Sequence, residues 1–280
     1  MLDTLPAILV EPIIRAALLE DLGRAGDITT MAVVPAEAPM RCRLAARQPG
    51  RLAGIEVAAQ TFRLLDPSIR IETLRSDGDA VAAGDAVLEL SGRARSILTG
   101  ERTALNLASR LSGIATATAA MVEAARPHPA RITCTRKTTP GLRALEKQAV
   151  RAGGGVNHRF GLDDAILIKD NHIAIAGGIM TAIERAKAAA GHLVKIEVEV
   201  DTLDQLREAM QVGVDAVLLD NMDPATLAEA VRIVAGRAVT EASGRVNAQT
   251  VGAIAASGVD LISVGWLTHS APILDLGLDV

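Results

Sequence analysis

Residues 194–203 read Val194-Lys195-Ile196-Glu197-Val198-Glu199-Val200-Asp201-Thr202-Leu203, and this stretch decides the fold. Charged residues alternate with aliphatic ones, so a strand here carries one charged face and one apolar face. Asp201-Thr202 ahead of Leu203 then has the composition of a helix start. Working outward, the same unit recurs: a short β-branched run, a polar or glycine turn, and an Ala-rich segment of helical period. The runs are Arg131–Thr135, Ala165–Ile168, Val194–Val198, Ala216–Leu219, Ala238–Ala242 and Leu261–Val264, with helices expected near 140–152, 178–190, 202–212, 224–235 and 247–257. Strands alternating with helices imply right-handed crossovers and a parallel sheet. Six units fall short of the eight that close a barrel, so an incomplete parallel α/β barrel is expected.

The first ~110 residues have a different texture, one of hairpin-like punctuation rather than regular crossovers. Arg41–Ala46 and Arg51–Ile55 are expected as strands, Asp77-Gly78-Asp79 and Ala83-Gly84-Asp85 as hairpin turns, and residues 101–122 as a long helix. This composition shift marks a separate α+β domain, with its boundary inside or just after the long helix. Phe62, Phe160 and Trp266 are the only aromatic residues, so both interiors must be filled by Ala, Val, Ile and Leu.

Composition removes several classes of function. A formal net charge of −4 gives no general attraction for nucleic acid or an anionic membrane. Cys42 and Cys134 are too few for a disulfide framework, lack metal-ligand spacing and suit a reducing cytoplasm as packing residues. Met1–Pro12 has no basic segment followed by an apolar one, and no run approaches the length of a membrane span, so neither secretion nor membrane insertion is expected.

Barrel chemistry collects where strands end, so those ends carry the functional reading. The first run leads to Arg136-Lys137-Thr138, the second to Lys169-Asp170-Asn171-His172, the third to Glu199, the fourth to Asp220-Asn221, the fifth to Ser243-Gly244 and the sixth to Gly265. Two ends are cationic, two anionic and two small. Burying the charged face of the third strand without partners would be costly, so it is expected in a functional lumen. Ser243-Gly244 and Gly265, each before a possible helix start, offer unobstructed N–H groups to a phosphate. Arg136, Lys137, His158, Arg159 and Lys169 can converge on a polyanion, the guanidinium forks suiting a planar dicarboxylate. Arg143, Lys147 and Arg151, at four-residue spacing, are expected on an exposed helix face.

The segments Thr135-Arg136-Lys137-Thr138-Thr139-Pro140-Gly141, Asn157-His158-Arg159 and Ile168-Lys169-Asp170-Asn171-His172 resemble the quinolinate phosphoribosyltransferase family. Glu20-Asp21-Leu22-Gly23, Gly26-Asp27-Ile28-Thr29, Glu101-Arg102-Thr103-Ala104-Leu105-Asn106, Glu197-Val198-Glu199, Leu219-Asp220-Asn221, Glu241-Ala242-Ser243-Gly244 and Gly265 extend the likeness over nearly the whole chain. The resemblance implies transfer of phosphoribosyl from phosphoribosyl pyrophosphate to quinolinate with loss of carbon dioxide, giving nicotinate mononucleotide for NAD synthesis. It implies Mg²⁺ as a diphosphate partner and no organic cofactor. It also implies a homodimer, or a multiple of dimers, in which Arg102 reaches the neighbouring subunit's site. Carried onto matching positions, Arg102, Arg136, His158, Arg159 and Lys169 would hold quinolinate. Lys137, Glu199, Asp220, Ser243, Gly244 and Gly265 would face phosphoribosyl pyrophosphate, and Thr135, Arg245 and Ser263 would add to the substrate-binding set, Arg245 either through a phosphate contact or pointing outward. The family's fold implies an N-terminal α/β sandwich domain over residues 1–114, with the tail 272–280 packed on it, and the incomplete barrel over 115–271. Lys137, Glu199 and Asp220 would act in catalysis, and Glu199 and Asp220 would lie toward the metal. His172 stands beside Lys169 with either a site role or a local hydrogen bond. One departure is visible: Arg245 follows Gly244 where the family commonly has a second glycine.

Three other activities share parts of this pattern. A Schiff-base aldolase would use Lys169 at the end of its apolar strand, and borohydride trapping would reveal it. A nicotinate-type transferase without decarboxylation, or a paralogue associated with molybdenum-transport operons, would share the fold but has less need of the full set Arg136, His158, Arg159 and Lys169. A carrier reading of the N-terminal half lacks an attachment lysine in the Asp77–Asp85 turns.

Overall fold

The computed structural model describes residues 5–280, so Met1–Thr4, the start of the stretch read for a leader, lie outside the described residues. The chain divides into two compact units, one of residues 1–119, 138–154 and 267–280, the other of residues 120–137 and 155–266. Residues 138–154, read above as part of the barrel, fold with the first unit. Among the described residues no helix is long and apolar enough to cross a membrane.

The first unit opens with α1 (Ala7–Leu22) and α2 (Ile28–Val33), followed by β1 (Pro39–Ala46), β2 (Gly50–Arg51), α3 (Ile55–Leu65), β3 (Arg70–Thr73), β4 (Ala80–Val81), β5 (Ala86–Arg93) and α4 (Ala94–Ala125). Its main sheet has the order β12-β1-β5-β3, where β12 is Leu276–Asp279 and pairs antiparallel with Arg43–Ala46. Leu44, Leu52, Ile55, Phe62, Leu88, Leu90 and Ile97 are fully buried between this sheet and its helices, an aliphatic core with a single aromatic ring.

The expected strand Arg51–Ile55 is instead the two-residue β2 and the first turn of α3. Gly54 adopts φ +78°, which turns the chain, and Asp77 accepts hydrogen bonds from Gly54 N at 3.0 Å and Ile55 N at 2.9 Å. The helix is therefore capped by a carboxylate more than twenty residues away, which local composition does not display. The long helix starts at Ala94 rather than near 101 and runs to Ala125.

The second sheet is made of β6 (Arg131–Thr133), β7 (Ile166–Ile168), β8 (Ile196–Val200), β9 (Ala216–Asp220), β10 (Val239–Ser243) and β11 (Leu261–Ser263). All pairings are parallel in the order β6-β11-β10-β9-β8-β7, which is a six-stranded incomplete α/β barrel. Intervening helices are α5 (Arg143–Ala152), α6 (Asp170–Ala176), α7 (Ile179–Ala189), α8 (Leu203–Val212), α9 (Pro224–Val234), α10 (Val251–Ala256) and the short α11 (Trp266–His269). The helix starts read from composition form as expected: Thr202 accepts from Gln205 N in a capping box, and Asp223 caps α9 with Pro224 in its first turn. Val156 bridges Thr133, Val156 N donating to Ile132 O at 2.9 Å, so the loop that follows α5 is laid along the free edge of β6.

Lys147 corrects a second expectation. It is wholly buried, while Arg151 on the same helix is exposed. Four-residue spacing places side chains on one stripe but does not say what covers it. Cys42 and Cys134 are both buried and free, and burial, then the nearby Glu101, pushes the Cys42 thiol up to about 11, which leaves it unreactive.

Candidate active site

β8 runs from Ile196 to Val200, two residues later than read from composition, and its burial alternates with the chain. Ile196, Val198 and Val200 are buried, whereas Glu197 and Glu199 face the other side, each with a cationic or imidazole partner. Lys195 lies before the strand and pairs with Asp215 at 2.5 Å, so it takes no part in this face. The charged face is therefore a lined one, built from partners on different loops.

The loop at residues 155–164 delivers the cations. Arg159 N donates to His158 Nδ1 at 2.8 Å, and an Arg159 Nη donates to Ala165 O at 3.0 Å. Asp164 ties the far side by accepting from Phe160 N at 2.7 Å and Gly161 N at 2.9 Å. Burial first, and then the neighbouring Arg136 charge, lower the Arg159 guanidinium below its ordinary value. Two guanidiniums thus share a partly buried place. Arg136 Nε and Glu241 Oε1 are, among the described residues, the only buried side-chain nitrogen and oxygen atoms with no hydrogen-bond partner, and both are in this unit. Buried polar groups are otherwise satisfied, so these two mark where the fold leaves work for a ligand or a proton.

At the end of β6, Thr135 Oγ1 accepts from Lys137 N at 3.0 Å, which shapes the turn that presents exposed Lys137. After β7, Lys169 Nζ donates to Glu199 Oε2, and Lys169 N donates to His172 Nδ1 at 2.9 Å. His172 is therefore the capping partner of α6, the local hydrogen bond of the two roles open to it. After β9, Asn221 Nδ2 donates to Asp220 Oδ2 at 2.6 Å, and Asn221 N donates to Ser243 O at 2.9 Å, joining the ends of β9 and β10. Gly244 has φ +102°, and a Cβ there would overlap the Asn221 amide. Arg245 also has positive φ, +47°, a backbone that suits glycine and that a residue with a full side chain adopts at a cost.

One expectation needs revision: no helix starts after Ser243-Gly244, since α10 begins at Val251, and α11 after Gly265 has only four residues, so neither end has a substantial helix dipole behind it. Ser263 is buried with its hydroxyl donating to Ala242 O at 3.3 Å, a bond within the sheet. Glu199 is paired with Lys169. Arg102 belongs to the first unit, where it is exposed on α4 and lines a cleft of about 320 Å³ with Asp21, Asp27 and Thr99.

The strand-end reading missed one residue. Glu241 Oε1 lies 3.7 Å from His158 Nε2, which is itself 3.0 Å from Glu197 Oε2. Its signal was available, because Glu241 and Ser243 are two apart on one strand and share a face. These three side chains are, among the described residues, the one group of three His, Cys, Asp or Glu close enough to share an ion. Glu199 and Asp220 belong to no such group.

Comparison with known proteins agrees with this architecture along the chain. The family described as quinolinate phosphoribosyl transferase, N-terminal domain, matches residues 27–112, and its C-terminal domain matches residues 114–279. The probable carboxylating nicotinate-nucleotide pyrophosphorylase of Bacillus subtilis is 45% identical over 262 residues, 94% of this chain and 90% of that one. The carboxylating nicotinate-nucleotide pyrophosphorylase of Mycobacterium leprae is 45% identical over 275 residues, 95% of each. The crystal structure of NadC from Streptococcus pyogenes superposes with a TM-score of 0.96 at 41% identity, covering 99% of this chain and 98% of that one.

Proposed function

The chain belongs to the quinolinate phosphoribosyltransferase family, and on that premise we propose how its side chains share the work of the reaction. The enzyme transfers phosphoribosyl from phosphoribosyl pyrophosphate to quinolinate and releases pyrophosphate and carbon dioxide, giving nicotinate mononucleotide in NAD biosynthesis. The observation that carries the assignment of side chains is the crowding of Arg136 and Arg159. Two like charges in a partly buried place favour a bound anion, and a planar dicarboxylate offers each fork a partner.

Arg136 and Arg159 grip the two carboxylates, and Lys169 adds a point charge from the rim when it exchanges Glu199 for substrate. His158, in the quinolinate set, also positions Arg159 through its backbone, Nδ1 accepting from Arg159 N while Nε2 faces Glu197. The pyridine nitrogen attacks the anomeric carbon as the C–O bond to pyrophosphate breaks. Positive charge then develops on the ribose, where Glu199 and Asp220 stabilise it, while Lys137 and the N–H groups of Ser243, Gly244 and Gly265 meet the leaving diphosphate. Thr135 shapes the Lys137 turn, and Arg245 stands next to the phosphate loop. Quaternised, the ring accepts the electron pair released as the 2-carboxylate departs, and a proton replaces carbon dioxide. These steps balance without an electron carrier, so no organic cofactor is called for.

Mg²⁺ fits as a partner of the diphosphate rather than as an ion in a protein cage, because Glu199 is paired with Lys169, Asp220 accepts from the Asn221 side chain, and the two belong to no ion-sized cluster among the described residues. When bound, it neutralises diphosphate charge. We further read Arg102 as supplied by a second copy of this chain in a homodimer or multiple of dimers, acting in the cytoplasm.

The test is an assay of the purified protein with Mg²⁺, phosphoribosyl pyrophosphate and either quinolinate or nicotinate. Carbon dioxide and mononucleotide should appear in equal amounts from quinolinate and not from nicotinate. Turnover of nicotinate without carbon dioxide would move the chain to a non-decarboxylating reaction, and no turnover of either would end the assignment.

A further inference from the structure

One layer deeper than the Ser243 end of β10 lies a cluster that the reaction does not consume. Glu241 is 2% exposed, its Oε1 has no hydrogen-bond partner, and His158, Glu197 and the Ser263 hydroxyl are polar neighbours of its carboxyl. Such a trio can hold either a divalent ion or a shared proton. His158 decides between them. Because Nδ1 accepts from Arg159 N at 2.8 Å, the ring proton of the neutral imidazole sits on Nε2 and points to Glu197. A metal on Nε2 would shift that proton to Nδ1 and set it against the Arg159 N–H, donor facing donor. Metal-bound histidines do the opposite and turn their second N–H to an acceptor.

His158 Nε2 lies 3.0 Å from Glu197 Oε2 and 3.7 Å from Glu241 Oε1, so its N–H goes to Glu197. Glu241 is left without a donor for Oε1. The titratable groups facing it are Glu197 from β8 and His158 from the loop, with the Ser263 hydroxyl from β11 and Leu218 in register on β9. Burial first, then the Glu197 charge, push the Glu241 carboxyl up to about 7, while His158 and Ser263 pull it down.

We propose that Glu241 is a specificity-determining residue which, as a neutral acid, keeps the quinolinate half of the site net positive. The inference rests on Arg136, Arg159 and Lys169 being the carboxylate-holding set. Within this chain those three positive groups stand against the carboxylates of Glu197 and Glu199, and an ionised Glu241 would take one further positive charge away from the half-site that receives a dianion. Binding of quinolinate should therefore draw a proton onto Glu241, so substrate affinity and proton uptake are linked.

Calorimetric titration of the intact protein with quinolinate, from pH 6 to 8.5 in buffers of different ionisation enthalpy, tests this. The wild-type Kd should rise roughly tenfold across that range, the scale expected for one added charge near the ligand, with proton uptake above pH 7. In Glu241→Gln the uptake should vanish and the Kd should stay near the wild-type value at pH 6. Equal slopes and equal uptake in the two proteins would overturn the proposal, as would a stoichiometric metal present in wild type and lost from Glu241→Gln. Wild-type uptake is measured without any variant, so its absence overturns the proposal even if Glu241→Gln does not fold. Tight binding with a flat pH profile would sink only this inference, whereas no binding and no turnover at any pH would sink the reading of the site beneath it.

Discussion

Glu146 and Glu241 are equally hidden from solvent, at 0% and 2% exposure, yet the chain treats them in opposite ways. Glu146, in the first unit, receives Arg110 Nε at 2.9 Å and Arg110 Nη2 at 2.5 Å on one oxygen and Thr139 N at 3.1 Å on the other. Arg110 also donates to Thr139 Oγ1 at 2.6 Å and Thr268 O at 2.9 Å, so this buried pair is closed on both sides. Glu241, in the second unit, has an oxygen with no donor and a carboxylate as neighbour. Burial alone therefore says little about the role of a charge. What separates structure from function is whether the surrounding chain has supplied partners, and at Glu241 Oε1 and Arg136 Nε it has stopped short.

The sharpest way to break this contrast is to remove Glu146. Glu146→Ala leaves the half-buried Arg110 guanidinium without its carboxylate, at a cost of about 3 kcal/mol. For a chain of this size the melting temperature should fall by roughly 10 °C. A variant that melts like wild type would show that the closed pair has no structural weight. Arg159→Ala is the opposite case. Its side chain is crowded by Arg136, so its removal should change the melting temperature little, while the quinolinate KM should rise on the order of a hundredfold for loss of a charge-assisted, bidentate contact. An unchanged KM would take Arg159 out of the carboxylate grip.

The same contrast explains what was legible in the sequence. The six strand runs and their order of charged, anionic and small ends follow from alternation and helix-start chemistry, which are local properties, and the parallel sheet follows from them. Pairing across distance is not local. Nothing near Gly54 announces that Asp77 will cap the helix behind it, and nothing in the spacing of Arg143, Lys147 and Arg151 announces that Lys147 is wholly covered. His158, Glu197 and Glu241 come from three segments far apart in the chain, so their meeting appears only once β8 and β10 are aligned through β9. The cationic ends could be named from sequence, but the hydrogen bond that makes His158 a support for Arg159 could not.

The smallest expected effect lies at the rim and asks whether the unsatisfied character of the second unit extends to its backbone. Asn221, Gly244 and Arg245 all have positive φ beside the ends of β9 and β10. Asn is among the residues that tolerate this region, and Gly244 is required because a side chain would strike Asn221. Arg245 has neither excuse, since it is exposed and carries a full side chain at φ +47°. Arg245→Gly should then relieve strain that exceeds the added entropy cost of glycine, stabilising the protein by about 1 kcal/mol or less and raising the melting temperature by roughly 1–3 °C. If the arginine is kept for a phosphate contact, the KM for phosphoribosyl pyrophosphate should rise in the same variant while the quinolinate KM holds. A fall in melting temperature would instead show that Arg245 makes compensating contacts, and the rim would then resemble the closed cluster around Glu146 more than the open one around Glu241.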